Sequence, residues 1–394
     1  MALCITAPRV VTAGQVIEPG FVLVNDGLVE QVGTGSPPDA DVVLPHGILT
    51  PGLIDLQLNG AFGVDLVDAT PDQWVDVVRQ LVRTGCTAFT PTFITAPVDA
   101  LVAALTRYRE VRPRLDALDR AARTLGVHVE GPFLSTKRRG AHREEYLCDP
   151  TPERVERLID AGTGGTLAYV TLAPEREAAP KAITRLREKG VRVSLGHSDA
   201  TEDVVRAAVD AGASLITHLF NAQRPFSHRD PGVVGAALTD ERLTAGLIAD
   251  LHHTDPTAVK LAFAAAGDRI ALVTDSVAAM GMPAGSYVLG GDRLHVEPGG
   301  PPLREDGTIG GSALRLDEAV GNAVACGVDL AVAVDAATRV PADALGHTHL
   351  GRLTAGAAAD LVWLSDDFRT LGTWVAGTLA YTDPDAPPTR RFPR

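Results

Sequence analysis

The sequence predicts an α/β fold: a (β/α)8 TIM barrel with a small β-sandwich domain formed from both chain ends. Three observations point there. From Gly52 onward, short apolar runs of strand character alternate with amphipathic runs of helical character. Eight strand segments stand out, near 53–58, 86–92, 127–130, 167–172, 191–196, 214–218, 244–250 and 270–275. Metal-compatible side chains then fall at the ends of several of these segments, where such a barrel keeps its chemistry.

The elements follow in order. Residues 1–50 read as short β segments: Phe21–Val24, a hairpin signal at Asn25-Asp26-Gly27, then Leu28–Val32, with a Gly/Pro-rich turn region from Gly33 to Asp41. Residues 51–349 form the barrel. Its helices include 71–83, 152–161, 180–189 and 201–211; the last has Thr201 as its N-cap and Gly212 as its stop. Past residue 350 the strand style returns, with one strand at Ala359–Leu364 and a strand and turn at Thr373–Thr378. The two β-rich ends, 1–50 and 350–394, are expected to pair into the small sandwich. The Pro- and Arg-rich stretch from Asp383 to Arg394 reads as a loose tail.

Composition narrows the functional class. The chain has 394 residues, 45% hydrophobic and 22% charged, and a net charge of −13. An acidic surface argues against a nucleic-acid partner, because phosphate backbones need a basic footprint. No apolar stretch reaches the ~20 residues of a membrane span, so no membrane partner is expected. The start, Met1 to Thr6, lacks the basic and apolar blocks of a signal peptide. The four cysteines are scattered without a C-x-x-C pair, so a reduced cytoplasmic setting is expected.

The chemistry is concentrated in four residues. His197 and His218 each follow a short apolar run; Glu130 and Asp275 close two others. One carboxylate and two imidazoles, with a further free carboxylate nearby, make up a hydrolytic metal site with an open position for water. Each residue alone has a plainer reading: a barrel-top salt bridge for Glu130, packing for the histidines, an N-cap for Asp275.

Several motifs carry a resemblance. Pro51-Gly52-Leu53-Ile54-Asp55 and Gly356-Ala357-Ala358-Ala359-Asp360-Leu361-Val362 look like the amidohydrolase superfamily. Asp55 to Gly60, His128-Val129-Glu130-Gly131-Pro132-Phe133, Gly196-His197-Ser198, Thr217 to Ala222 and Val273-Thr274-Asp275 resemble, within it, the N-acetylglucosamine-6-phosphate deacetylases. The resemblance runs from about residue 10 to 380. It implies one divalent metal ion, zinc by default, held by Glu130, His197 and His218, with Asp275 as general base and then general acid. Where the wider superfamily carries His-x-His on the first strand, this chain has Gln57-Leu58-Asn59, so a single tightly held metal is expected.

The resemblance also implies a substrate set. Ala141 and His142 bind the substrate, His142 near its reacting acetyl group. Asn221, Ala222 and Arg229 meet the phosphate, Arg229 by way of a neighbouring subunit in a homodimer. His253 touches the sugar phosphate, although the adjacent His252 leaves that choice open. Ile309, Gly310 and Gly311 line the sugar site. A solvated loop around His142 and a surface ion pair for Arg229 are the plainer alternatives. The implied substrate is a small amino-sugar phosphate, N-acetylglucosamine 6-phosphate, deacetylated by hydrolysis. N-acetylgalactosamine 6-phosphate is the alternative sugar. A dihydropyrimidine or N-acyl amino acid hydrolase fits less well without His-x-His or a bridging lysine, and a non-catalytic sugar-phosphate binding protein would not need the full metal and carboxylate set.

Overall fold

The computed structural model describes residues 3–391 except Pro38; Met1, Ala2 and the last three residues of the tail lie outside the described residues. Eight parallel strands form the barrel: β1 (Leu53–Leu58), β2 (Cys86–Ile94), β3 (Val127–Glu130), β4 (Leu167–Leu172), β5 (Arg192–Leu195), β6 (Leu215–Ile216), β7 (Thr244–Ile248) and β8 (Ile270–Val273). Each pairs with the next in sequence. The ring closes just beyond β8, where Asp275 N donates to the Gln57 carbonyl and Asn59 N to the Ser276 carbonyl, both at 2.8 Å. Val129, Val193, Leu195 and Ala245 on these strands are fully buried.

Helices follow the strands and pack outside them. Pro71–Leu81 starts with a capping box between Thr70 and Gln73 and a proline in its first turn. Pro152–Ala161 starts on the Thr151 side chain. Glu202–Ala211 stops at Gly212 in the left-handed conformation, but Thr201 makes no side-chain cap, so only half of that expectation holds.

The chain ends meet in two sheets. One contains Leu3–Ala7, Gly20–Asn25, Leu28–Thr34, Val42–Val43 and Arg390–Arg391; the other contains Arg9–Thr12, Gln15–Ile17, Ile48–Pro51, Leu361–Leu364, Thr370–Val375 and Thr378–Thr382. The hairpin of Gly20–Asn25 and Leu28–Thr34 turns on Asp26 and Gly27, both with positive φ, as the sequence signals. Arg390–Arg391 pair with Val42–Val43, so the expected loose tail ends partly as an edge strand. Ile5, Val10, Val22, Leu49, Trp363 and Trp374 share one core between the sheets.

A sheet beside the barrel mouth was not expected. Gly285–Leu289, Asp292–Val296 and Pro302–Leu303 form a three-stranded antiparallel sheet beside the barrel mouth. Its hairpin turns on Gly290-Gly291 between alternating apolar residues, a signal present in the sequence.

Trp363 is 1% exposed and its indole N–H donates to the His46 carbonyl at 2.8 Å. Replacing it with Ala should destabilise the fold by about 3–5 kcal/mol. A lower denaturant midpoint would register this; an unchanged midpoint would show that Trp363 does not hold the two sheets together.

Candidate functional site

The ends of β3, β5, β6 and β8 bring the four chemical residues into one cavity of about 280 Å3. Sharp turns aim them inward. His197, His218 and Asp275 take positive φ values of 48°, 28° and 49° directly after their strands, as do Phe220, Ala222 and Leu251 nearby. Non-glycine residues avoid this conformation, at a cost of about 1–3 kcal/mol each, and they hold it where the surroundings over-determine it.

Glu130 Oε1 lies 2.9 Å from His218 Nε2 and 3.2 Å from His197 Nε2, and the two imidazole nitrogens are 3.0 Å apart. His197 Nδ1 lies 2.9 Å from the Arg138 carbonyl oxygen, which can only accept. That nitrogen therefore carries the proton, and the Nε2 lone pair faces the cluster. All three residues are buried. Tetrahedral bonds of about 2.0–2.1 Å to one cation space their donor atoms about 3.3 Å apart, close to the spacing seen. The two-nitrogen, one-oxygen donor set thus fits a divalent cation on distance and on chemistry.

Electrostatics follow the same geometry. Burial alone would raise the Glu130 carboxyl, but the close approach of the His197 and His218 rings holds it well below the usual carboxylate range. Burial and the Glu130 charge push Asp275 up to about 6. Burial and the neighbouring His197 push His142 down to about 3, which keeps it neutral. Its Nε2 lies 3.2 Å from His197 Nε2, at the edge of the cluster.

Ala141, His142, Asn221, Ala222, His253, Ile309 and Gly311 line the same cavity. The paired histidines are placed differently. His253 Nδ1 meets Asp250 Oδ2 at 2.7 Å and its ring faces the cavity, whereas His252 Nε2 meets the Gly299 carbonyl outside it at 3.1 Å. One expected lining residue is placed elsewhere. Gly310 does not line the cavity; it packs under Leu294, with its N–H on the Pro302 carbonyl. Arg229 is exposed on the 227–230 turn, outside the cavity of its own chain.

Other lining residues were not foreseen: Ile94, Gly140, Ile248, Leu289 and Thr308. Leu289 belongs to the unexpected sheet, so no barrel pattern could place it. Asp250, which orients His253, was legible only as a strand end. His128 stacks on Tyr169 at 3.9 Å inside the barrel and is pushed down to about 3 by burial, a neutral core residue.

The sequence profile of the amidohydrolase family matches residues 48–380. The chain belongs to the amidohydrolase family. It is 35% identical to an N-acetylglucosamine-6-phosphate deacetylase of Bacillus subtilis, over 98% of each chain. It is 39% identical to an N-acetylgalactosamine-6-phosphate deacetylase of Escherichia coli O157:H7, over 84% of this chain and 88% of that one. Among solved structures, an N-acetyl-D-glucosamine-6-phosphate deacetylase mutant of Mycobacterium smegmatis, in complex with N-acetyl-D-glucosamine 6-phosphate, superposes with a TM-score of 0.90. It is 36% identical and covers 97% of this chain and 100% of its own.

Elemental analysis should find about one divalent ion per chain, and His197→Ala or His218→Ala should abolish it. Full metal content in both variants would mean that the ion sits elsewhere.

Proposed function

We infer that the chain hydrolyses the N-acetyl group of N-acetylglucosamine 6-phosphate, giving glucosamine 6-phosphate and acetate. One observation carries the reading: Asp275 shares a sugar-sized cavity with the Glu130–His197–His218 cluster, in an amidohydrolase 36% identical to a deacetylase in complex with this sugar phosphate.

Glu130, His197 and His218 would hold the divalent ion, and zinc is the default for two imidazoles and a carboxylate. When bound, such an ion supplies a Lewis acid for the acetyl carbonyl and makes hydroxide available near neutral pH. The chain's own residues do the rest. Asp275 accepts a proton from the attacking water as the new carbon–oxygen bond forms. It returns that proton to nitrogen as the carbon–nitrogen bond breaks, so a neutral amine leaves in place of an amide anion. His142, neutral and buried, orients the acetamide by a hydrogen bond. Ile94, Ile248 and Leu289 exclude water from the sugar's apolar face.

The phosphate end is formed by Asn221, Ala222 and His253. Ile309 and Gly311 take the sugar, with Gly310 supporting them from behind. Gly311 is required by contact: a Cβ there would sit 2.7 Å from the Asp275 carbonyl oxygen. Arg229 reaches the phosphate from a second copy in a homodimer, where its planar fork matches two phosphate oxygens. The four free cysteines suit a reducing cytoplasm. The likeness to the N-acetylgalactosamine-6-phosphate deacetylase favours a second reading, the same chemistry on N-acetylgalactosamine 6-phosphate.

Acetate release measured on both sugar phosphates tests the reading, and the higher kcat/KM names the substrate. Asp275→Asn should keep metal and cut kcat by about 10²–10⁴-fold; unchanged turnover removes Asp275 from the reaction. Turnover should also fall as pH drops through about 6, because protonating Asp275 removes the base. A flat rate between pH 7 and pH 5 would contradict that role.

A further inference from the structure

Two amides, Gln57 near the end of β1 and Asn59 just past it, donate to the carboxylates of the site. Gln57 Nε2 donates to Glu130 Oε2 at 3.2 Å and to Asp275 Oδ1 at 3.1 Å. Asn59 Nδ2 donates to the same Asp275 oxygen at 2.7 Å and to the Ser276 carbonyl at 3.2 Å. Their partners fix the amide orientations: turned over, each would present its own oxygen to acceptor oxygens. Both amides are only 2% exposed.

The result is a division of labour within each carboxylate. Asp275 Oδ1 accepts two N–H donors, while Oδ2 takes no hydrogen bond among the described residues, on a side chain that lines the cavity. Glu130 Oε2 faces Gln57, while Oε1 faces the two histidines. An amide does not titrate in this setting, unlike an imidazole or an amine. The donors therefore hold their carboxylates without offering a competing proton.

Resting on the deacetylase reading, we propose that Gln57 and Asn59 are positioning residues, a pair of amide clamps that present Glu130 Oε1 to the histidines and Asp275 Oδ2 to the substrate. The Gln57 N–H groups carry partial positive charge between the two carboxylates, so they lower the repulsion and fix both orientations, while Asn59 adds a second donor to Asp275. Proton traffic in the reaction is then confined to the free oxygen of Asp275.

The test compares Gln57→Met and Asn59→Leu with the parent enzyme for metal content, KM and kcat, using N-acetylglucosamine 6-phosphate. Each variant should keep its metal and a KM within about threefold, while kcat falls about 10–100-fold. In an Asp275→Asn background, Asn59→Leu should cost no more than about twofold further, because it acts through a carboxylate already removed. Unchanged kcat in Asn59→Leu, or a full additive loss in the Asp275→Asn background, overturns the proposal. So does a metal ion bound by the parent and lost from Asn59→Leu, since the amide would then be a ligand. If Gln57→Met fails to fold, Asn59→Leu reads the same Asp275 oxygen alone. A parent that releases no acetate overturns the deacetylase reading instead. The clamp is then decided by a crystal structure of Asn59→Leu, where a rotated Asp275 carboxylate supports it and an unmoved one overturns it.

Discussion

Three atoms carrying lone pairs, Glu130 Oε1, His197 Nε2 and His218 Nε2, are held near contact at the top of one barrel. Such atoms repel one another in a protein interior unless a proton or a cation lies between them. Most of the local structure serves to hold them there. They come from three separate strands, so no single segment can relax the contact. The left-handed turns after β5 and β6 are unfavourable in isolation, and the closed hydrogen-bonded ring around them prevents their release. The Arg138 carbonyl fixes the His197 tautomer, so that a lone pair and not a proton points inward.

The sign of the whole molecule says little about this site. A net charge of −13 coexists with a barrel mouth edged by arginines, most of them paired. Asp292, on the small three-stranded sheet, takes Arg143 on one oxygen and Arg304 on the other, and Arg304 also donates to the Ala141 carbonyl. These pairs fasten the loop that carries His142 to the sheet that carries Leu289. Their worth is positional. Partly exposed ion pairs contribute little stability, but here they join two walls of one cavity.

The sequence was informative where a residue's role follows from its own strand. All eight barrel strands, the Asp26-Gly27 hairpin and the inward position of Glu130, His197, His218 and Asp275 could be read from periodicity and strand ends. What escaped depends on contacts between distant segments. The Gly290-Gly291 hairpin is visible in the sequence, but its packing of Leu289 against Ile94 and the cavity is not. His252 and His253 are equivalent until Asp250 engages one ring and the Gly299 carbonyl the other. Gln57 and Asn59 were legible as a departure from His-x-His, yet their donor role needs Asp275 brought against them from 216 residues away.

The sandwich bears on the site through register. A single residue, Gly52, separates the sandwich strand Ile48–Pro51 from β1. Its N–H donates to the Asp360 carbonyl at 2.8 Å, and a Cβ at this position would lie 2.1 Å from Thr87 Oγ1. The chain is therefore wedged between the second chain end and the second barrel strand at the point where it changes from one unit to the other. A slip of one residue in either unit would move the other, and in a strand it reverses every side chain. Gln57 and Asn59, two apart and on one face, would then turn outward, and Leu56 and Leu58 would take their place against Asp275. Pairing the two chain ends thus indexes β1, and β1 in turn sets how the two carboxylates of the site are held.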